Sequence, residues 1–514
     1  MLALIALTAL SAIDIRAFGA VGDGKTLCSK AIQKAIDAAA TNLRGVVDVP
    51  AGTFLTGSIH LRSNVELHLE PGSVLLGSPH QLDYHTGVWK AFIIAADVEN
   101  IAITGQGTID GNGAVLAEDV KRLVHIGELK IPPGRWRPNE VDRPEVIEVT
   151  SCLNVSVSGI TIKGGAGWTQ VYRDCLGLTV EGVHVDAKAY WNNDGVDVVD
   201  CRNVRVAHCD IDADDDGICL KSDKRDSTCE NVRIEHCRIR SSASAIKFGT
   251  ASHGGFRRVK VRDIHIHDTF RSAVALESVD GGTLEDVKVD HIRAVNTGNA
   301  FFIRLGHRNP KFPPGRVRRV SLSDFDVQVP AGRPDAGYPF LCPPYPEKFN
   351  VCPSSIVGIP EAPIEGVRLR NITIRMPGGA SPNYAFRAVD QVPERKAVYP
   401  EFTMFGELPC WGLYLRHVRG LRVDGFRLML DRADYRVALV AEDVRGLSAR
   451  GVKVSGADGK PTLVVRGARV GILGVRVLRI RDQDFHAKLA KGAKVIQKGG
   501  DHAKTRRPEN PLRP

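Results

Sequence analysis

The chain has 514 residues, 43% of them hydrophobic and 25% charged, which excludes a disordered or collagen-like polymer. Its formal charge of +10 is concentrated at one end, because Lys488 to Pro514 carries eight Lys/Arg against two acids. The body holds only about +4, too little to read as a nucleic-acid partner. After the N terminus, no stretch approaches the roughly 18 apolar residues of a membrane-spanning helix.

Residues 1–12, MLALIALTALSA, have the apolar core and small-residue end of a secretory signal, here read as a remnant. That reading places the protein outside the cytoplasm, secreted or periplasmic. Residues 13–485 are then a single domain, and 486–514 a basic, flexible tail. SKAIQKAIDAAA, Ser29 to Ala40, has the spacing of an amphipathic helix with Ser29 as its N-cap, placed to plug the open N-terminal end of a coiled, repetitive domain.

The repeat itself is the pattern apolar-x-apolar-x-x-apolar-x-apolar. It occurs as VSVSGITI from Val155, LTVEGVHV from Leu178, VRVAHCDI from Val204 and VRIEHCRI from Val232. It continues as VKVRDIHI from Val259 and VKVDHIRA from Val287, and onward to LRVDGFRL from Leu421. The first five steps are 23, 26, 28, 27 and 28 residues. Alternation predicts strands with one buried face, and the two-residue interruption predicts a corner. A unit this short must bury its apolar face on its neighbours. The fold class is therefore all-β, a parallel β-helix. Cys152, Cys175, Cys201 and Cys229 each precede the repeat by three residues and form a column of buried small side chains, with disulfides as the minor alternative. Cys342 and Cys352 sit in a proline-rich loop where they can pair. Longer insertions, Ala331 to Pro363 and Val392 to Pro409, predict loops on one rim that close one end of a groove.

Trp191 to Asp223 packs nine aspartates into 33 residues. A second register explains part of this. DGVDV from Asp194 matches DGICL from Asp216, then SAIKF from Ser244, SAVAL from Ser272 and NAFFI from Asn299. Asp194 and Asp216 thus occupy one site on consecutive coils, about 4.8 Å apart, with Asp215 beside them. Crowded carboxylates raise at least one pKa, so an acid and a carboxylate coexist near neutral pH. Glycoside hydrolysis requires that pair. The same register turns Lys221, Lys247, Glu277 and Arg304 outward on this face, and the three cations form a seat for a substrate carboxylate. A calcium loop is the competing reading of Asp212 to Gly217, which fits the D-x-D-x-D-G start of such loops, with Asp223 in twelfth place. Strand-like flanks and the missing Glu speak against it. A calcium-dependent uronate lyase and a non-catalytic carbohydrate-binding β-helix remain open alternatives.

At these residues the chain resembles glycoside hydrolase family 28, the polygalacturonase-like right-handed parallel β-helix enzymes, in a bacterial-type branch. NNDG from Asn192 resembles the family's N-T-D motif, and DDDGICLKS from Asp214 its G-D-D-C-I-x-x-K-S motif. AFGAVGDGKT, VDVPAGTF and ITGQGTIDGNG also resemble the family, so the likeness runs over roughly 13 to 480. It implies metal-free hydrolysis of pectic polysaccharides with inversion, Asp215 as general acid, and Asp194 and Asp216 holding the attacking water. No cofactor is implied, and the expected state is a monomer acting on a pectic chain. Two motifs depart. The family's G-H-G histidine falls near Ser244, with His253 the nearest histidine, and its R-I-K motif falls on Phe302 to Arg304. These changes make a rhamnogalacturonan hydrolase the main rival, with Glu277 contacting a neutral sugar.

Overall fold

The computed structural model describes residues 12–135, 138–335, 352–380, 387–456, 462–467, 469–472 and 477–480. Residues 1–11 of the signal remnant, the basic tail and Cys342, with its pairing, lie outside them.

The described residues carry 36 strands, almost all in parallel pairs, wound as a right-handed parallel β-helix. Each repeat supplies two short strands around a corner. In all nine repeats the fifth residue is left-handed: Gly159, Gly182, His208, His236, Asp263, His291, Asp324, Asn371 and Gly425 have φ between 50° and 76°. Gly, Asn, Asp and His tolerate this region best, which explains their use there. A second corner, ahead of the repeat, stacks asparagines. Asn100 donates to Asn64 at 2.9 Å, Asn154 to Asn100 at 3.0 Å, and Asn231 to Asn203 at 2.7 Å.

Inside the coil one apolar core runs from Ile15 to Val465. Inward residues such as Ile218, Leu220, Ile246 and Phe248 are fully buried, each contributing roughly 1.5–3 kcal/mol of transfer free energy. The cysteine column is buried with free thiols, and the Cys175 N–H donates to Cys201 Sγ at 3.3 Å.

Helix α1 (Ser29–Ala39) buries Ile32, Ala35, Ile36 and Ala39 over the first coil, as expected of a plug. Its N-cap is Cys28, not Ser29, whose hydroxyl instead accepts from the Gly57 N–H at 2.8 Å. A second helix, α2 (Gly113–His125), was not anticipated, although Leu116, Ala117, Val120 and Leu123 follow helical spacing and form its buried stripe. No described helix is long and apolar enough to cross a membrane.

Candidate active site

The site lies on the sheet formed by Gln170–Arg173, Val196–Val199, Ile218–Ser222, Ile246–Ser252 and the strand ends on the next two coils. Val196 pairs with Ile218, Ile218 with Ile246, Ile246 with Val274, and Val274 with Phe301. This is the register read from the sequence, and it sets Asp194, Asp216, Ser244, Ser272 and Asn299 in one column. One oxygen each of Asp194 and Asp216 lie within 4.8 Å, together with Cys219 Sγ.

The two carboxyls are buried but tuned in opposite directions. Burial and the nearby Asp197 push Asp194 well above the usual carboxylate range, against the pull of Lys221. Lys221 Nζ bonds Asp194 at 3.0 Å and also pairs with the fully buried Asp197. Asp216 is buried just as deeply, yet Lys247 and Arg271 hold its carboxyl below the ordinary value. Lys247 Nζ lies 2.8 Å from Asp216 Oδ2, and the Ser244 N–H donates to Oδ1 at 3.1 Å. The two neighbouring carboxyls are thus biased in opposite directions, which is the kind of separation acid–base chemistry uses.

Asp215 is more open than either. Its side chain accepts from Asn192 Nδ2 at 3.1 Å, and its main-chain carbonyl accepts from the Ser241 hydroxyl at 2.6 Å. The turn that presents Asn192 is tightly held. Buried Arg143 donates to Asn192 Oδ1 at 2.9 Å, and Asn193 bridges Tyr190, Gly165 and Gly167. Burial, helped by the neighbouring carboxyls, pushes Asp214 up to about 7.

Glu277 shares the face with Lys247. It is fully buried, its Oε2 has no hydrogen-bond partner among the described residues, and burial raises its carboxyl well above the normal range. Across from it, Gly249 has φ +104°, and a Cβ there would sit 3.5 Å from that oxygen.

Two expected residues stand elsewhere. Arg304 does not face the groove. It is fully buried and donates to four main-chain carbonyls: Val357 at 3.4 Å, Gly358 at 3.0 Å, Glu394 at 3.0 Å and Arg395 at 3.1 Å. Its neighbour Phe302 joins Phe402, Phe405, Leu408 and Tyr414 in a small second core beneath the loop that Val392–Pro409 forms. The outward face of those coils is covered, so a register that assigns faces cannot distinguish a cation at the surface from one under a loop. His253 is half-buried at the far end of its strand, where its N–H donates to Ser222 O at 2.8 Å; no hydrogen bond or ion pair among the described residues joins it to the three aspartates.

The calcium loop does not fit. Asp212 to Gly217 bridges the strands Asp210–Ala213 and Ile218–Ser222, without the flanking helices such loops have. Asp194, Asp216 and Cys219 are a poor divalent-ion set, because both carboxyls already pair with ammonium groups. The Cys219 thiol is raised by burial and donates to Gly249 O at 3.0 Å.

Several site residues were missed by sequence reasoning. Arg271 precedes Ser272 as Asp215 precedes Asp216, so the register itself carried the signal. It binds Glu401 at 2.9 Å. Tyr399, on the 392–409 loop, does reach the site: its hydroxyl lies 3.2 Å from Lys247 Nζ. On the opposite side, Trp168 lies one coil before Asp194 and places its ring 3.9 Å from Lys221 Nζ. Trp89 packs on it at 4.5 Å between centroids, with Arg173 over both rings. The groove is therefore walled by aromatic and cationic groups at one end and by the 392–409 loop at the other.

Residues 41–284 match the model for glycosyl hydrolases family 28. A probable polygalacturonase of Vitis vinifera is 26% identical over 323 residues, covering 58% of this chain and 59% of that protein. An exo-poly-alpha-D-galacturonosidase of Dickeya chrysanthemi is 29% identical over 250 residues, covering 40% and 41%. The matches thus span well under two thirds of either relative. Among solved structures, a hyperthermoactive exopolygalacturonase from Thermotoga maritima superposes with a TM-score of 0.56 at 22% identity, over 71% of this chain and 87% of that one. A family 28 exopolygalacturonase of Yersinia enterocolitica gives 0.58 at 19% identity, over 90% and 78%. These structures share the β-helix fold. The family match spans the stacked aspartates and the coils around them, so this part of the chain, residues 41–284, is similar to glycosyl hydrolases family 28.

Proposed function

We propose that the protein is a secreted or periplasmic glycosidase that hydrolyses α-galacturonosyl linkages in pectic chains with inversion. Asp215 donates its proton to the glycosidic oxygen as the bond to C1 breaks. A water seated between Asp194 and Asp216 attacks C1 from the other face, and ionised Asp216 takes its proton. The observation that carries this reading is the pair Asp194 and Asp216, within 4.8 Å and driven in opposite directions by their surroundings. Lys247 and Lys221 balance the cluster and attract an anionic substrate. The loop over Arg304 closes the groove on one side, which favours action at chain ends.

A rhamnogalacturonan backbone is the second reading, favoured by Glu277. A carboxyl kept neutral beside Gly249 donates a hydrogen bond to a sugar hydroxyl, whereas an ionised one would repel a uronate.

Reducing-end release from polygalacturonate and from rhamnogalacturonan, with and without chelator, tests both. Chelator-insensitive release that Asp215→Asn loses supports the hydrolase, and the preferred polymer decides the substrate. Unsaturated products that vanish with chelator would instead indicate a lyase.

A further inference from the structure

The sheet next to the site-bearing one around each coil carries a second charged feature, away from the aspartates. Strand pairing stacks its outward residues into three parallel ladders. The first reads Arg202, Glu230, Arg257, Glu285, Arg318, Glu365, Arg419, alternating in sign at every step. The third, Glu235, Arg262, Asp290, Ser323, Arg370, Asp424, also never stacks like on like. The ladder between them is different. It reads Arg205, Arg233, Lys260, Lys288, Ser321, Arg368, Arg422, with no acid in it.

Like charges directly opposite on paired strands are destabilising. The flanking ladders show that these same coils accommodate the alternating solution. Arg205 is paired, to Glu181 and Glu235. Arg233, Lys260, Lys288, Arg368 and Arg422 are exposed and make no ion pair among the described residues. Toward the C-terminal end the surface becomes concave. A groove of about 660 Å³ is lined by Lys288, Arg368 and Arg422 together with Arg319, Arg370 and one acid, Asp286, while Gly366 and Gly420 add no side chain to its wall. Arg233 to Arg422 spans five strand steps, roughly 24 Å, with a cation at nearly every step of about 4.8 Å.

We propose that this ladder is a second carbohydrate-binding surface, which holds an extended 1,4-linked polyuronate parallel to the helix axis. A hexuronate unit in such a chain advances by about one strand spacing and carries one carboxylate, so charge and repeat match together. A row of separate cations at fixed spacing suits a flexible chain with one charge per unit. The choice of a uronate rests on the pectic reading of the active site; the ladder itself does not. Its role is retention of polymer beside the catalytic groove.

The test is affinity electrophoresis in gels containing polygalacturonate at low salt. It uses the full chain carrying Asp215→Asn, so that the polymer persists. Lys288→Ser/Arg368→Ser/Arg422→Ser in that background is expected to weaken retention at least tenfold, and Ser321→Lys, which fills the gap, to strengthen it. Unchanged retention in the triple variant overturns the proposal. Equal retention of the parent by heparin or double-stranded DNA at the same salt overturns the uronate assignment in favour of a general polyanion surface. Turnover of trigalacturonate by the protein with Asp215 intact reports the active site separately. Retention lost in the triple variant with no turnover leaves the ladder standing and removes the galacturonan-hydrolase reading. Turnover with retention unchanged does the reverse.

Discussion

Lys247 and Arg304 are both buried cations on the same sheet, two coils apart, and they do opposite work. Lys247 faces a carboxylate: its ammonium holds Asp216 ionised at 2.8 Å and meets the Tyr399 hydroxyl at 3.2 Å. Arg304 faces carbonyls, and its four hydrogen bonds fasten the 392–409 loop and the Val357–Gly358 turn to the coil. Carboxylates titrate and carbonyls do not. The first arrangement sets a proton inventory, whereas the second fixes a wall and is indifferent to pH. Type and burial of the cation alone say nothing about which it is; the partner decides.

The sharpest way to break this comparison is at Asp216. Asp216→Asn removes the base and strands Lys247 without its ion-pair partner. Turnover is expected to fall by about 10² to 10⁴-fold, and stability by roughly 3–5 kcal/mol, the usual cost of breaking a buried pair from one side. Asp215→Asn, by contrast, is expected to lose turnover on the same scale while its denaturation midpoint holds, since the Asp215 side chain accepts from Asn192 and carries no buried ion pair among the described residues. Equal stability losses in the two variants would remove the distinction between a structural and a chemical carboxylate.

Arg304→Met probes the other side. It keeps the aliphatic bulk and leaves up to four carbonyls without donors, at roughly 1–3 kcal/mol for each that water cannot reach. The midpoint of chemical denaturation is expected to drop, with the pH–rate profile unmoved. A profile that shifts would mean that Arg304 acts on the carboxylates after all.

Lys247→Met gives a smaller effect, read as a displacement rather than a loss. Lys247 is the main influence drawing the Asp216 carboxyl down against burial, with Arg271 second. Without it the Asp216 pKa rises. Because the base works only when ionised, the acid limb of the rate profile moves to higher pH, each unit corresponding to about 1.36 kcal/mol. An unmoved limb would assign the base elsewhere.

The coil, its corners and the aspartate column were legible in the sequence for one reason: stacking turns period into proximity. A match at a fixed step becomes a contact at strand spacing, so Asp194, Asp216, Lys221 and Lys247 could be placed without coordinates. Arg304 was misread because the loop covering it comes from some 90 residues later, and no periodicity describes an insertion. Trp168 was hidden similarly, in the segment just before its strand Gln170–Arg173. Helix α2 sits inside a long insertion, outside the repeat, although its apolar spacing is plain once that segment is taken alone. Arg271 was within reach of the register, but it lies where the strand pairing shifts between Thr269 and Ser272, so simple alternation of inward and outward positions assigns it no face.

The smallest expected effect lies where the loop wall does contain titrating groups. His417 stands under the loop, its Nε2 3.1 Å from Glu394 and its Nδ1 2.8 Å from Asp443. Burial opposes its charge, but hydrogen bonds to the two carboxylates outweigh that, and its pKa lies above the ordinary 6.5. Arg416, which also binds Glu394, works weakly against it. A histidine whose folded pKa exceeds its unfolded one contributes stability that is complete below 6.5 and lost as pH rises through the raised value. Glu394 and Asp443 are themselves held below their usual range, despite burial, so their contribution is lost only on strong acidification. The stability difference between wild type and His417→Gln should therefore be largest in the mildly acidic range and shrink toward alkaline pH. The Arg304→Met difference should stay flat from the mildly acidic range through neutral pH, because burial lowers the Arg304 guanidinium only to about 10. If the two differences follow the same pH course, the contrast between a titrating and a non-titrating wall is wrong.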